Sequence, residues 1–131
     1  MPSFKNDFKA GIANEKRVLP IVKQFFDSTI KLTEPGCRYD YISDTGMKLE
    51  LKTRNVSVLD YPTTLIPASK LIYNDLVLLF DFNDGLYFIK YEPKLFMKFK
   101  REMYCRNRRT DYRDVPAEYV YIPTTELQRI N

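Results

Sequence analysis

Between Phe8 and Phe26 the apolar residues Phe8, Ile12, Leu19, Val22 and Phe26 return at steps of three and four, the period of one face of an α-helix. Asn6 or Asp7 can cap its start. Pro20 removes the backbone donor that would reach the Lys16 carbonyl, which predicts a kink or break near that turn. Beyond the helix the period shortens. Thr29 to Thr33, Arg38 to Ser43 and Met47 to Arg54 are short extended stretches divided by Pro35-Gly36 and Asp44-Thr45-Gly46, and they read as antiparallel strands. A loop with Pro62 follows, then a short helix from Pro67 to Tyr73 with proline in its first turn. Leu76 to Phe80 is an uninterrupted apolar run, the mark of a strand covered on both faces at the centre of a sheet. Its hairpin partner, Leu86 to Tyr91, lies across Asn83-Asp84-Gly85. Glu92 to Arg101 predicts a helix, the segment on to Arg113 a loop or frayed helix, and Tyr119 to Ile122 a last strand. Thr125 to Gln128 matches a capping box.

A chain of 131 residues with 44% apolar and 15% aromatic residues is sized for one globular domain with a real core, so residues 1–131 are expected to form a single domain. No apolar run approaches the length of a bilayer span, and MPSFKNDFK lacks the apolar stretch of a secretory signal. The expectation is a soluble protein of the cytoplasm or nucleus, not secreted and without a membrane partner. Cys37 and Cys105 alone make neither a disulfide framework nor a four-ligand zinc site, and the absence of histidine removes Ser-His-Asp and Cys-His catalysis. Chemistry is left to carboxylates, lysine, tyrosine or a metal ion.

The net charge of +4 is unevenly spread. Lys94 to Arg113 holds eight basic residues against Glu102 and Asp111, leaving the rest of the chain net acidic. That asymmetry points to a polyanionic partner, although a solvated basic face would look the same.

The stretch R-Y-D-Y-I-S-D-T-G-M-K-L-E-L-K-T-R carries the candidate chemistry. A three-residue Asp44-Thr45-Gly46 loop with glycine at the left-handed position pairs Ser43 with Met47, which sets Asp40 opposite Glu50. Along the second strand Lys48, Glu50, Lys52 and Arg54 share one face while Leu49 and Leu51 take the other. Two carboxylates at cross-strand distance repel unless a proton or cation lies between them, and a hard divalent ion such as Mg²⁺ suits oxygen ligands. Such an ion would act as Lewis acid on a phosphodiester, with Lys52 orienting water or stabilising charge on the phosphorus oxygens. A lone E-x-K is weak; the Asp40 pairing strengthens it. Glu15 falls within the helical apolar stripe, where a carboxylate needs a partner that the metal site, Lys52 or another lysine can supply.

Helix-borne Glu15, then Asp40 on a strand, then Glu50-Leu51-Lys52 on the next, resemble the PD-(D/E)XK nuclease superfamily. In order and spacing they are most like the small archaeal-type Holliday-junction resolvases. The resemblance covers roughly Phe8 to Val77 and departs from the pattern at Tyr39, where proline would precede the aspartate. It implies an α/β fold, a mixed central sheet flanked by helices in an αβββαβ core. It further implies Asp40, Glu50 and the Leu51 carbonyl as ligands of Mg²⁺ or Mn²⁺, Glu15 as an accessory acid binding metal through water, and Lys52 as the catalytic lysine. The expected activity is hydrolysis of DNA phosphodiester bonds, with branched or structured DNA as a substrate class and a homodimer left open.

Arg54 and Lys70 rank next, as groups beside the site that can hold phosphate. Arg101, Arg106, Arg108 and Arg109, with Tyr104 and Tyr112 interleaved, suit contacts to a nucleic-acid backbone and its unpaired bases. A non-catalytic nucleic-acid-binding module on the same fold and a structural or protein-interaction domain are the alternatives.

Overall fold

The structure is a computed structural model that describes residues 4–104 and 116–131, with side chains from Gly11 onward within those ranges. It is a mixed α/β architecture. Helix α1 (Phe4–Phe25) is followed by strands β1 (Lys31–Leu32), β2 (Tyr41–Ile42), β3 (Lys48–Thr53) and β4 (Thr63–Pro67). A 3-10 turn (Ala68–Lys70) then leads to β5 (Leu76–Phe82), β6 (Gly85–Lys90) and the short helix α2 (Pro93–Phe96). The chain continues through β7 (Lys100–Tyr104), β8 (Ala117–Pro123), a second 3-10 turn (Thr124–Glu126) and β9 (Gln128–Arg129). Six strands form one sheet in the order β1-β2-β3-β5-β6-β9, and β4-β8-β7 form a second. Among the described residues all strand pairs are antiparallel except β3 with β5.

The apolar run of β5 is explained by what lies on each side of it. Val77 and Leu79 turn toward α1 and join Val18, Val22, Tyr41, Leu49 and Phe88 in one buried cluster. Leu78, Phe80 and Phe82 turn the other way and meet Ile66, Val120 and Ile122 of the three-stranded sheet, with Phe96 and Phe99. Each such buried side chain contributes roughly 1.5–3 kcal/mol, so a strand with two apolar faces ties both layers together.

The helix differs from expectation in two ways. Pro20 lies inside one unbroken helical span, exposed to solvent, because Val18 and Val22 on either side of it are fully buried and clamp both halves to the sheet. The buried stripe therefore runs through Val18 and Val22, with Leu19 only partly covered.

Three further elements depart from the sequence pattern. The parallel β3–β5 connection passes through β4 and a three-residue 3-10 turn, where the expected core places an α-helix; β4 finds its partner in β8, more than fifty residues later. Glu92 to Arg101 is not one helix: α2 stops at Phe96 and the chain re-extends as β7 against β8. Thr125 to Gln128 does not cap a helix. It forms a 3-10 turn without a side-chain cap and then β9, which closes the open edge of β6. Among the described residues no helix is long and apolar enough to cross a membrane.

Candidate active site

The hairpin turn is built as its composition predicts. Gly46 takes a φ of 93°, its N–H reaches the Ser43 carbonyl (3.1 Å), and Ser43 N–H donates to the Met47 carbonyl (2.9 Å). Register follows: Ile42 faces Lys48 and Tyr41 faces Leu49. The ladder ends there, because β2 is two residues long and not the six expected. Asp40 leaves the regular pairing. Its N–H donates to the Leu49 carbonyl (2.9 Å), its own carbonyl accepts Thr33 N–H (3.1 Å), and its Oδ2 accepts the Leu51 N–H (2.7 Å). The carboxylate thus occupies the position a strand carbonyl would fill, at the edge of β3. Within a strand, N–H and C=O of one residue point to the same side, so the Leu51 carbonyl turns toward that edge as well.

Glu50 and Lys52 pair with Leu78 and Phe80 of β5 and so share the face turned toward the three-stranded sheet. Glu50 is 5% exposed. Lys52 Nζ lies 3.2 Å from Glu50 Oε1 and Lys70 Nζ lies 3.5 Å from the same oxygen. Lys70 also donates to the Arg38 carbonyl (3.0 Å), which fixes the 3-10 turn against the segment leading to Asp40. Lys70, expected beside the site as a group that can hold phosphate, is placed with its amine on the Glu50 carboxylate.

Glu15 reaches the site from α1, where its charge bears on the Asp40 carboxyl. Tyr41 sets its position. That side chain is wholly buried and its hydroxyl donates to the Glu15 carbonyl (2.7 Å), joining hairpin to helix next to the acidic pair. Burial, with the nearby carboxylates, pushes the tyrosine pKa up, so it stays a donor at any working pH. Flanking Glu15 on α1, Asn14 Nδ2 donates to Thr53 Oγ1 (2.7 Å), while Arg17 donates to Asn14 Oδ1 and pairs with Asp81 at 2.5 Å. These bonds fasten α1 to the ends of β3 and β5. Sequence reasoning passed over Tyr41, Asn14 and Arg17. The available signal was a tyrosine beside the candidate aspartate whose hydroxyl, once buried, has to find a partner.

Burial is the main reason the Asp40 pKa rises to about 6, and Glu15 adds to it by charge and hydrogen bond; the Leu51 N–H and Lys52 oppose the rise. Glu50 is also pushed above the ordinary carboxylate range, by burial first and then by Asp40, against the pull of Lys52 and Lys70. Asp40 and Glu50 therefore feel one another, and the site holds more negative charge than its two lysines offset comfortably. The expected grouping is only partly assembled, however. Among the described residues no three carboxylates close into a metal-holding cluster. What forms is Glu15 with Asp40 on one side and Glu50 with two lysines on the other.

Other residues singled out from sequence fall elsewhere. Arg54 shares the Glu50 face but is not free to hold phosphate. Its guanidinium donates to Thr64 Oγ1 (3.0 Å) and the Leu65 carbonyl (2.5 Å) and lies over the Phe80 ring, because β4 runs where a loop was expected. Arg101 pairs with Glu118 across β7 and β8 at 3.1 Å. Arg106, Arg108, Arg109 and Tyr112 lie outside the described residues. Cys37 is an exposed free thiol.

Tyr41→Phe tests the positioning of Glu15. Loss of one buried hydrogen bond is expected to cost about 1 kcal/mol of stability, measured by urea unfolding. Any catalytic rate that depends on Glu15 should fall further than this, and a variant as stable as the parent would mean the bond does not hold the helix.

No protein-family model matches this chain, and no curated protein matches it.

Proposed function

We propose that this chain is a Mg²⁺- or Mn²⁺-dependent endonuclease that hydrolyses DNA phosphodiester bonds, built on a PD-(D/E)XK-type core. The observation that carries the reading is that Glu15 with Asp40, and Glu50 with Lys52, brought from three separate elements, lie along β3 within electrostatic reach of one another. The order of elements supports it. Helix α1, the antiparallel β1-β2-β3 and then β5 parallel to β3 follow the sequence of an αβββαβ core, with a 3-10 turn in the place of its second helix.

The donor set fits a hard divalent ion. Asp40 and Glu50 supply carboxylate oxygens whose ionised forms burial disfavours, the condition that a cation relieves, and the Leu51 carbonyl supplies a neutral third ligand. Glu15, beside Asp40, would act through water. Bound there, the ion would polarise a phosphoryl oxygen and acidify a coordinated water. Lys52 holds its amine beside Glu50 and lines the adjoining cavity, where it can stabilise charge on the phosphorus oxygens. Lys70 holds Glu50 from the other side and keeps its carboxylate pointed at this edge. In the metal-free chain the Asp40 pKa lies near 6, so protons compete with the ion for this ligand at acid pH and cleavage is expected to fall off as pH drops below that value.

The partner is DNA, gripped through the basic segment of Arg106, Arg108 and Arg109; the site of action is the cytoplasm or nucleus, and a homodimer would give grip on two strands. The two-lysine clamp on Glu50 favours one other reading, a non-catalytic nucleic-acid-binding module whose acidic groups are satisfied within the protein. A panel of linear, single-stranded, flapped and four-way DNA separates the two. With Mg²⁺ or Mn²⁺ at least one substrate should be cut, and with chelator none. Retention of DNA without cutting under any metal condition leaves the binding module.

A further inference from the structure

A cavity of about 560 Å³ lies between the two sheets and begins at the catalytic edge, with Lys52 in its wall. Arg54, Tyr61, Thr63, Tyr104 and Tyr119 are among the other residues that line it. Its size is that of a small-ligand site, and its wall mixes tyrosine rings with hydroxyl and cationic groups. Two of the rings are already set in place, Tyr104 meeting Tyr119 edge to face at 5.6 Å between centroids.

The rim is equally built. Residues 57–60 form a turn closed by Ser57 N–H to Asp60 Oδ2 (2.8 Å) and Asp60 N–H to the Ser57 carbonyl (3.0 Å). Asp84 holds that turn from below, accepting from Ser57 Oγ (2.9 Å) and Val58 N–H (3.1 Å). The turn presents Leu59, 88% exposed, and leads into Tyr61, 62% exposed. An anchored turn that holds a bare leucine and a tyrosine in solvent beside a tyrosine-lined hole is suited to part a base stack and receive what leaves it.

We propose that this cavity seats one unpaired nucleotide base beside Lys52, so that single-stranded or unpaired DNA is the preferred substrate. The inference rests on the nuclease reading for its choice of ligand. A paired base would first have to leave its stack to lie in this cleft. A free base needs no such step, and a ring of tyrosine stacks on any base.

The test is binding in chelator, where no cutting occurs, of a single-stranded oligonucleotide carrying 2-aminopurine and of the same sequence as duplex. The parent chain should quench the single-stranded probe and bind it more tightly than the duplex. Tyr61→Ala should weaken the single-stranded complex on the order of ten-fold while leaving duplex binding unchanged. Tyr61→Phe, which keeps the ring, should bind like the parent. Equal affinity for both probes, an equal loss for both in Tyr61→Ala, or a loss in Tyr61→Phe as large as in the alanine variant would each overturn the proposal. Because the measurement excludes catalysis, a chain that binds in this way but never cuts loses the nuclease reading alone, and a chain that cuts without these preferences loses only the pocket.

Discussion

Asp40→Asn should abolish metal-dependent cleavage and, at pH 8, make the protein more stable. The first half follows from charge. On the proposed reading, a divalent ion held by two carboxylates and a carbonyl would lose one of its two anionic ligands, and Lewis-acid stabilisation of several kcal/mol corresponds to a rate loss on the order of a thousand-fold. The second half follows from proton linkage. In the folded chain the Asp40 carboxyl has a pKa of about 6, raised from 3.8 by burial and by Glu15. The folded state thus binds a proton more tightly than the unfolded state does, and folding stability falls as pH rises from about 4 to 6. Above pH 6 the penalty is complete; below pH 4 it is absent. Asparagine is never ionised, and its amide oxygen can still accept the Leu51 N–H that Asp40 Oδ2 accepts at 2.7 Å. The variant should therefore gain on the order of 1–2 kcal/mol at pH 8, a rise of a few degrees in melting temperature, and should match the parent near pH 4. Both are read from melting curves in chelator. A lower melting temperature at pH 8 would mean that the ionised carboxylate holds the hairpin together more than it strains it.

The same hairpin shows why parts of this site were legible in the sequence. Asp44-Thr45-Gly46 fixed the register through glycine's tolerance of a positive φ, and once Ser43 faced Met47 the alternation of side chains placed Glu50 and Lys52 on one face. Those are local rules, and they held. Asp40 was assigned to the right neighbourhood but for an incomplete reason. It does not sit in a ladder facing Glu50; it ends the ladder and replaces one of its acceptors with a side chain, a choice that depends on Thr33 taking the Asp40 carbonyl. The helix was legible as a helix and Val22 as part of its buried face, but Val18, wholly buried against β3 and β5, lay outside the expected stripe, and Leu19, within it, is only partly covered.

What stayed hidden is what depends on distant pairing. Thr63–Pro67 carries two threonines and two prolines at its borders and reads as a loop, but Thr64 and Ile66 are buried once β8 runs alongside. That strand determines the fate of Arg54, since Thr64 and Leu65 are the groups that capture its guanidinium. Lys100–Tyr104 likewise has every residue exposed and no apolar alternation; only pairing with β8 makes it a strand. The cavity beside Lys52 is formed by these same late-pairing segments, so no local pattern announces it.

On the proposed nuclease reading, Lys52→Ala should separate catalysis from DNA retention. The amine stands 3.2 Å from Glu50 Oε1 and faces the cavity, so it is placed to act on charge that develops at the phosphorus oxygens and only weakly on the resting phosphate. Loss of such a group is expected to lower the single-turnover rate by about a hundred- to a thousand-fold while DNA affinity in chelator changes by less than about three-fold. A second consequence is independent of DNA. Lys52 and Lys70 both hold the Glu50 pKa down against burial and Asp40, so removing one leaves the buried carboxylate with a single cation at 3.5 Å. Glu50 should then ionise at higher pH than in the parent, and the residual activity should reach its plateau later on the pH axis. Lys52→Arg keeps the charge but spreads it over a planar fork that does not match the compact ammonium, and it should restore the pH profile more fully than the rate. Equal losses of rate and affinity, with an unshifted profile, would make Lys52 a phosphate anchor and move the transition-state charge stabilisation to another group.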